Sequence, residues 1–232
     1  MIGPLALTLE TAQNGIVTKR FLTKTKPGYS LLDAVNNLHR LDVSYWKALV
    51  SNGIPGVEII AAPSAAAHKT PPRQEQLRHL FGFLRSCYDF TLVDLGRSLT
   101  RVGATALEEL DEAYLVTTLE VPALHQAKQV LQILMDGGYG KDRIRLILNR
   151  VPKRSELAPG EIEKILGLPV FAVLPSCYPE LHECYSIGKL LPERSVLGKH
   201  IRELAKRMAG IEEPPKKRFA EMHKMKKLLA FG

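Results

Sequence analysis

A chain of 232 residues that is 45% apolar and 24% charged has the make-up of a globular domain, which excludes collagen-like order and wholesale disorder. No run of about 18 apolar residues occurs, and the opening MIGPLALTLETAQNG lacks the charged start and apolar stretch of a signal peptide, so a cytoplasmic protein is expected. Cys87, Cys177 and Cys184 suit neither a disulfide framework nor a Cys-x-x-Cys metal site, and reduced, structural thiols are expected.

The net charge of +8 is uneven: from Pro214 onward six basic residues face the single acid Glu221, a net +5, which leaves +3 for everything before. A nearly neutral body with a basic end points to an anionic partner for that end, either a membrane surface or nucleic acid.

In chain order, apolar runs rich in β-branched residues predict strands at Val57–Ala61, Phe90–Leu95, Ala113–Thr118, Arg145–Asn149 and Val170–Leu174. Between and after them, helices are predicted at Gln74–Ser86, Arg101–Leu110, Pro122–Asp136, Pro159–Leu166 and Glu193–Met208. Leu124, Ala127, Val130, Leu131 and Leu134 form a helical stripe behind a proline start. Trp46 and Tyr45 are read as packing on a helix near the domain edge. Strand and helix in alternation predict an α/β fold with a doubly wound, mostly parallel sheet, its strands covered on both faces because the runs are continuously apolar. A boundary falls near Gly210: residues 1–210 form the domain and 211–232 a basic amphipathic tail.

Open parallel sheets bind ligands at the carboxyl ends of their strands. The polar residues there are Asp94, Thr117 with Thr118, Asn149 with Arg150, and Pro175 with Ser176. An aspartate leaving a buried strand can hold a water of hydrated Mg²⁺, or it can cap the next helix. A carboxamide such as Asn149 can pair with a purine edge, or it can be an ordinary turn residue.

The strings YDFTLVDLG, DEAYLVTTLEVPALHQAKQVLQIL, IRLILNRV and LGLPVFAVLPSCYPELHECYSIGKLL together resemble the ParA and MinD family of deviant P-loop ATPases. Ser30-Leu31-Leu32-Asp33-Ala34 and Ile59-Ile60-Ala61-Ala62-Pro63 look like its pilus-assembly branch, CpaE and TadZ. The resemblance implies ATP with Mg²⁺ and a nucleotide-sandwiched homodimer, or a pairing with an intact paralogue, that positions pilus, secretion or division machinery. Carried over by residue, Asp94 corresponds to the Mg²⁺-associated aspartate, Asn149 with Arg150 to the adenine-reading segment, and Pro175 with Ser176 to the loop over the base. Leu95-Gly96-Arg97-Ser98 departs from the proline-rich switch common in the family, which puts sensing of the γ-phosphate in question.

A phosphate loop needs glycines followed by Lys-Ser or Lys-Thr. Here Gly140-Lys141 precedes Asp142, Gly188-Lys189 precedes Leu190, and Gly198-Lys199 precedes His200. Gly3 to Leu9 looks like the family segment just after the second strand. The resemblance therefore implies an N-terminally truncated domain that lacks the first strand, phosphate loop, first helix and second strand. Loss of a central strand predicts either two separated sheet pieces or a wrong strand pairing. A non-catalytic scaffold or partner protein of the same fold, without ATP, is the alternative.

Lys216–Gly232 can form a helix with Phe219, Met222, Met225, Leu228 and Leu229 on one broad side, and with cations including Lys226 and Lys227 to meet an anionic bilayer. Similar in kind to the MinD targeting helix, it predicts a peripheral location at the inner face of the plasma membrane. A solvated tail and a helix docked on its own domain are the other readings, and DNA binding is disfavoured for want of interleaved aromatics.

Overall fold

The computed structural model describes residues 6–10, 28–54, 56–61, 72–96, 101–155 and 157–211. The C-terminal tail residues Phe219, Met222, Met225, Lys226, Lys227, Leu228 and Leu229, and also Arg97 and Ser98, lie outside them.

The described chain runs β1 (Ala6–Glu10), α1 (Leu31–Asn36), α2 (Val43–Leu49), β2 (Ser51–Ile54), β3 (Val57–Ile60), α3 (Gln74–Cys87) and β4 (Phe90–Asp94). It continues with α4 (Arg101–Glu108), β5 (Ala113–Thr117), α5 (Val121–Asp136), β6 (Ile144–Val151), α6 (Pro159–Leu166), β7 (Val170–Pro175), α7 (Tyr178–Ser186) and α8 (Val196–Met208). The strands form two sheets, ordered β2-β3-β1-β4 and β5-β6-β7. All pairings are parallel except β2 with β3. Among the described residues the strands therefore lie in two sheets. One strand not predicted from the sequence is β1, Ala6–Glu10, paired on both sides by β3 and β4. The five residues Ala-Leu-Thr-Leu-Glu are too short a signal to separate from loop by pattern alone.

Each sheet has its own core. Around the first, α1, α2 and α3 bury Leu31, Val35, Trp46, Leu77, Leu80, Phe81 and Leu84 against Ile60. Each such side chain contributes about 1.5–3 kcal/mol on transfer from water. The Trp46 ring meets Phe83 edge to face at 5.9 Å, and its Nε1–H donates to the Tyr88 hydroxyl, which in turn donates to Glu58. Trp46 is therefore core, not edge. Around the second, α5 and α6 cover β5, β6 and β7 through Leu124, Ala127, Leu131, Leu134, Ile162 and Leu166. The stripe read on α5 is this buried face, with Val130 partly buried. On the opposite side Tyr114 and Phe171 meet edge to face, and the Arg207 guanidinium of α8 lies 4.3 Å above the Phe171 ring. Helices on both faces make this half doubly wound.

Leu95 and Leu110 pack against both cores, and α4 gives Ala106 to one and Leu107 to the other. Polar clamps hold the same connection. Arg78 pairs with Glu109 at 3.1 Å, Arg145 pairs with Glu112 at 2.6 Å, and Arg143 donates to the carbonyls of Leu110 and Asp111.

Burial along the strands corrects another expectation. β6 is buried on both faces, at Ile144, Leu146, Ile147 and Leu148, but Phe90 and Leu92 of β4 are 41% and 46% exposed and Val116 of β5 is 54% exposed. A continuous apolar run implies two covered faces only when the strand is flanked, and among the described residues β4 and β5 each have one neighbour.

Helix boundaries follow local chemistry. Ser195 accepts from Gly198 N–H at 2.9 Å, so α8 starts at Val196 and not at Glu193. Gly198 has no room for a side chain: a Cβ there would stand 2.2 Å from the Pro192 carbonyl oxygen.

Burial, and for Tyr88 and Tyr114 next a hydrogen bond to Glu58 or Glu112, holds three phenols above the ordinary tyrosine range; Tyr139 is raised first by burial, against the nearby Arg143, with the charges of Asp111, Glu112 and Asp142 adding to the rise. The folded state keeps these protons after the unfolded chain has released them. Stability is therefore complete below about pH 10 and falls as pH rises further. Denaturant midpoints measured from pH 8 to 11 are expected to drop above about 10, with the phenolate absorbance of these residues appearing only as the protein unfolds.

Candidate functional site

The carboxyl ends of β5, β6 and β7 bring together most of the polar residues singled out in the sequence. β6 bulges there: Leu148 faces Val173 but Val151 faces Pro175, so the β6 strand carries an extra residue. The bulge is made by Asn149 and Arg150. Arg150 adopts φ 54°, the left-handed region that side chains other than glycine and asparagine seldom enter. The Asn149 Oδ1 accepts from the Arg150 N–H at 2.9 Å and helps hold that conformation. Its remaining capacity is the Nδ2 donor and a second Oδ1 lone pair, the donor and acceptor pair that a purine edge requires.

Across the bulge, Ser176 N–H donates to the Val151 carbonyl at 2.9 Å and prolongs the β6–β7 pairing. Pro175 and Ser176 therefore stand beside Asn149 and Arg150, with Ser176 exposed at the rim. Cys177 follows as the residue before α7. Among the described residues no group of three His, Cys, Asp or Glu could hold a metal ion.

At the end of β5, Thr117 is buried and its hydroxyl donates to the Thr118 carbonyl at 3.3 Å. Glu120, the residue before α5, escaped the sequence reading. Its carboxyl lies below the usual range because Thr118 hydrogen-bonds it, its own backbone N–H does so next, and Arg150 attracts it. An acid directly before a Val-Pro helix start was the available signal. Thr118, Glu120 and Arg150 thus form a polar rim spanning two strands.

Asp94 ends β4, in the other sheet. Its Oδ1 accepts from Gly96 N–H at 2.9 Å, an Asx turn that directs the chain away from the strand. Leu95, next to it, packs on both cores, so Asp94 stands at the seam between the two sheets. The Gly-Lys pairs lie elsewhere: Gly140-Lys141 precedes β6, Gly188-Lys189 follows α7, and Gly198-Lys199 is inside α8. A groove of about 300 Å³ lined by Leu191, Glu193, Gly198, Ile201, Arg202 and Ala205 runs along α8, away from these strand ends.

Replacing Arg150 with glycine tests the bulge. Arg150→Gly removes a left-handed strain worth roughly 1 kcal/mol, so no stability should be lost. The Glu120 carboxyl, followed by NMR titration, is expected to move up only slightly, because the Thr118 and backbone hydrogen bonds that lower it most remain.

Comparison with known proteins follows the same lines. Septum site-determining protein MinD of Thermotoga maritima is 25% identical over 202 residues, which span 84% of this chain and 73% of that protein. A putative MinD of Guillardia theta is 24% identical over 178 residues, which are 75% of this chain and 62% of that protein. Among solved structures, a ParA family ATPase from Chlorobium tepidum has TM-score 0.78 at 28% identity, covering 88% of this chain and 86% of that one. MinD of Pyrococcus horikoshii, complexed with Mg-ADP, has TM-score 0.68 at 22% identity over 89% of this chain and 84% of that one. No family model matches the chain. The α/β fold with its parallel sheet is that of the ParA and MinD structures.

Proposed function

We propose that this chain carries the base-binding and metal-binding ends of a MinD/ParA-like ATPase that positions cellular machinery through ATP-dependent dimerisation, with itself or with an intact paralogue. The observation that carries this reading is the register of polar strand ends: Asp94 closes β4 at the seam, and Asn149, Arg150, Pro175 and Ser176 meet at the ends of β6 and β7. A donor set of one strand-end carboxylate suits a hydrated Mg²⁺, and the Asn149 amide suits adenine. Bound ATP would supply the bond whose cleavage resets the dimer; this chain's residues would orient the base and hold a metal-bound water.

The groups for phosphates are not among the described residues. A strand between β4 and β5 that leads into a glycine-rich loop would complete the site. Ser30 and Asp33, which shape the start of α1 next to Ala61, support the CpaE and TadZ branch, with pilus or secretion components as the machinery. The alternative is a non-catalytic scaffold of the same fold. It is favoured by all three Gly-Lys pairs lying away from the strand carboxyl ends.

Two experiments decide between these readings. Protein isolated from its own cells is expected to bind a fluorescent ATP analogue with Mg²⁺; Asn149→Ala should weaken binding about tenfold through the lost pairing with the base, and Asp94→Asn should abolish the Mg²⁺ requirement. No binding by that protein selects the scaffold. For the tail, the basic, apolar sequence 216–232 supports peripheral attachment at the inner face of the plasma membrane, each cation contributing about 1 kcal/mol at an anionic surface. Cosedimentation with anionic vesicles is expected at low salt and should fade as salt rises; no binding at low salt removes the membrane from the proposal.

A further inference from the structure

Helix α7 is turned the wrong way round for a surface helix. Tyr178, Leu181 and Tyr185 fall on one face, at three- and four-residue steps, and are 71%, 46% and 43% exposed. Glu180 and Cys184, on the other face, are the half-buried residues, and α7 buries no side chain fully. The apolar exposure continues past the helix end at Ile187 and Leu190. Folded chains that leave such a run of large apolar side chains open to water use it as a contact surface.

The chemistry of the face narrows its occupant. α7 carries two carboxylates, Glu180 and Glu183, and no lysine or arginine, which disfavours nucleic acid and anionic lipid as its cover. What the face matches is itself. From 178 to 185 the helix reads Tyr-Pro-Glu-Leu-His-Glu-Cys-Tyr, the same aromatic, acid and central pair from either end. A two-fold axis crossing between Leu181 and His182 therefore sets Tyr178 against Tyr185 of a second copy, and Tyr185 against Tyr178, which is the reciprocal contact that an isologous interface requires. The two tyrosines stand about 10.5 Å apart along the helix, two turns, so both fall on the seam between antiparallel helices. The Tyr178 and His182 rings already lie 5.6 Å apart and tilted, forming one continuous surface. Glu180 is turned to its own body and Glu183 lies off the stripe, so the axis brings no carboxylates face to face.

Area agrees with this pairing. Tyr178, Leu181, Tyr185, Ile187 and Leu190 leave roughly 500 Å² open, so two copies would cover about 1,000 Å², the lower bound of a specific protein interface.

We propose that two copies of this chain pair through α7, helix against antiparallel helix, with Tyr178 and Tyr185 exchanging contacts across a two-fold axis. The pairing uses neither ATP nor the strand ends that carry Asp94 and Asn149, so it is a second contact beside the nucleotide-dependent one and stands or falls separately from it.

Analytical ultracentrifugation of the full chain without nucleotide tests it. A dimer that dissociates on dilution is expected. Leu181→Glu and Tyr178→Glu, both at exposed positions, should each weaken it about tenfold or more while leaving the circular dichroism spectrum unchanged. Leu181→Cys, beside the axis, should give a disulfide-linked dimer under mild oxidation in a yield well above that of the unsubstituted chain. A monomer at every concentration up to about 100 μM overturns the proposal, as does a dimer indifferent to both glutamates or the absence of that cross-link. A dimer formed only when ATP and Mg²⁺ are added also overturns it, while leaving the ATPase reading in place.

Discussion

Everything in this fold is arranged around an unmet backbone requirement. A strand satisfies its amide and carbonyl groups on two sides, and among the described residues the pairing of successive strands is interrupted between β4 and β5. The two sheets are held across that line by side chains: Leu95 and Leu110 shared by both cores, α4 divided between them, and arginines fastened to the carbonyls and carboxylates of the 109–112 connection. Apolar contact and charge thus do at the seam what hydrogen-bonded strands do elsewhere. Phe90, Leu92 and Val116 are left exposed beside it as the visible cost.

The same seam divides the candidate site. The residues proposed to face the base belong to one sheet and the aspartate proposed to face the metal to the other, so their relative placement depends on how firmly the connection through α4 is held. The bulge in β6 is a local device of another kind: it spends backbone strain at Arg150 to aim Asn149, and it gathers Glu120 and Thr118 into the same rim. The conjunction of a strained residue with a polar strand end is what sets this corner apart from an ordinary turn.

Much of this was legible in the sequence because the second half is built from long, strongly patterned elements. β5, β6, β7, α5 and α6 fall within a residue or two of expectation, since Leu124, Ala127, Leu131 and Leu134 repeat at helical spacing and IRLIL is buried on both faces. The first half was read less well. α1 and α2 are six and seven residues long, too short for a period to declare itself, and β1 and β2 owe their existence to pairing with β3 rather than to their own composition. The strand-end positions of Asp94, Asn149 and Ser176 could be read because a run of apolar residues ending in a polar one marks a strand's exit. The environment of Glu120 could not, because it is set by a hydrogen bond from Thr118 and by its own backbone N–H, with Arg150 adding a smaller attraction from thirty residues away in sequence.

The chain's one tryptophan belongs to the first core alone, its indole nitrogen tied to Tyr88 and its ring against Phe83. Its fluorescence therefore watches one half of the molecule and is blind to the other, where the aromatic pair Tyr114 and Phe171 and the ring of Tyr139 are the resident chromophores. Tryptophan emission thus labels one side of the seam, while tyrosines lie on both. Whether the halves melt as a single cooperative unit, or the α5–β6–β7 layer outlasts its neighbour, can be read from the coincidence or separation of two spectroscopic curves on unlabelled protein.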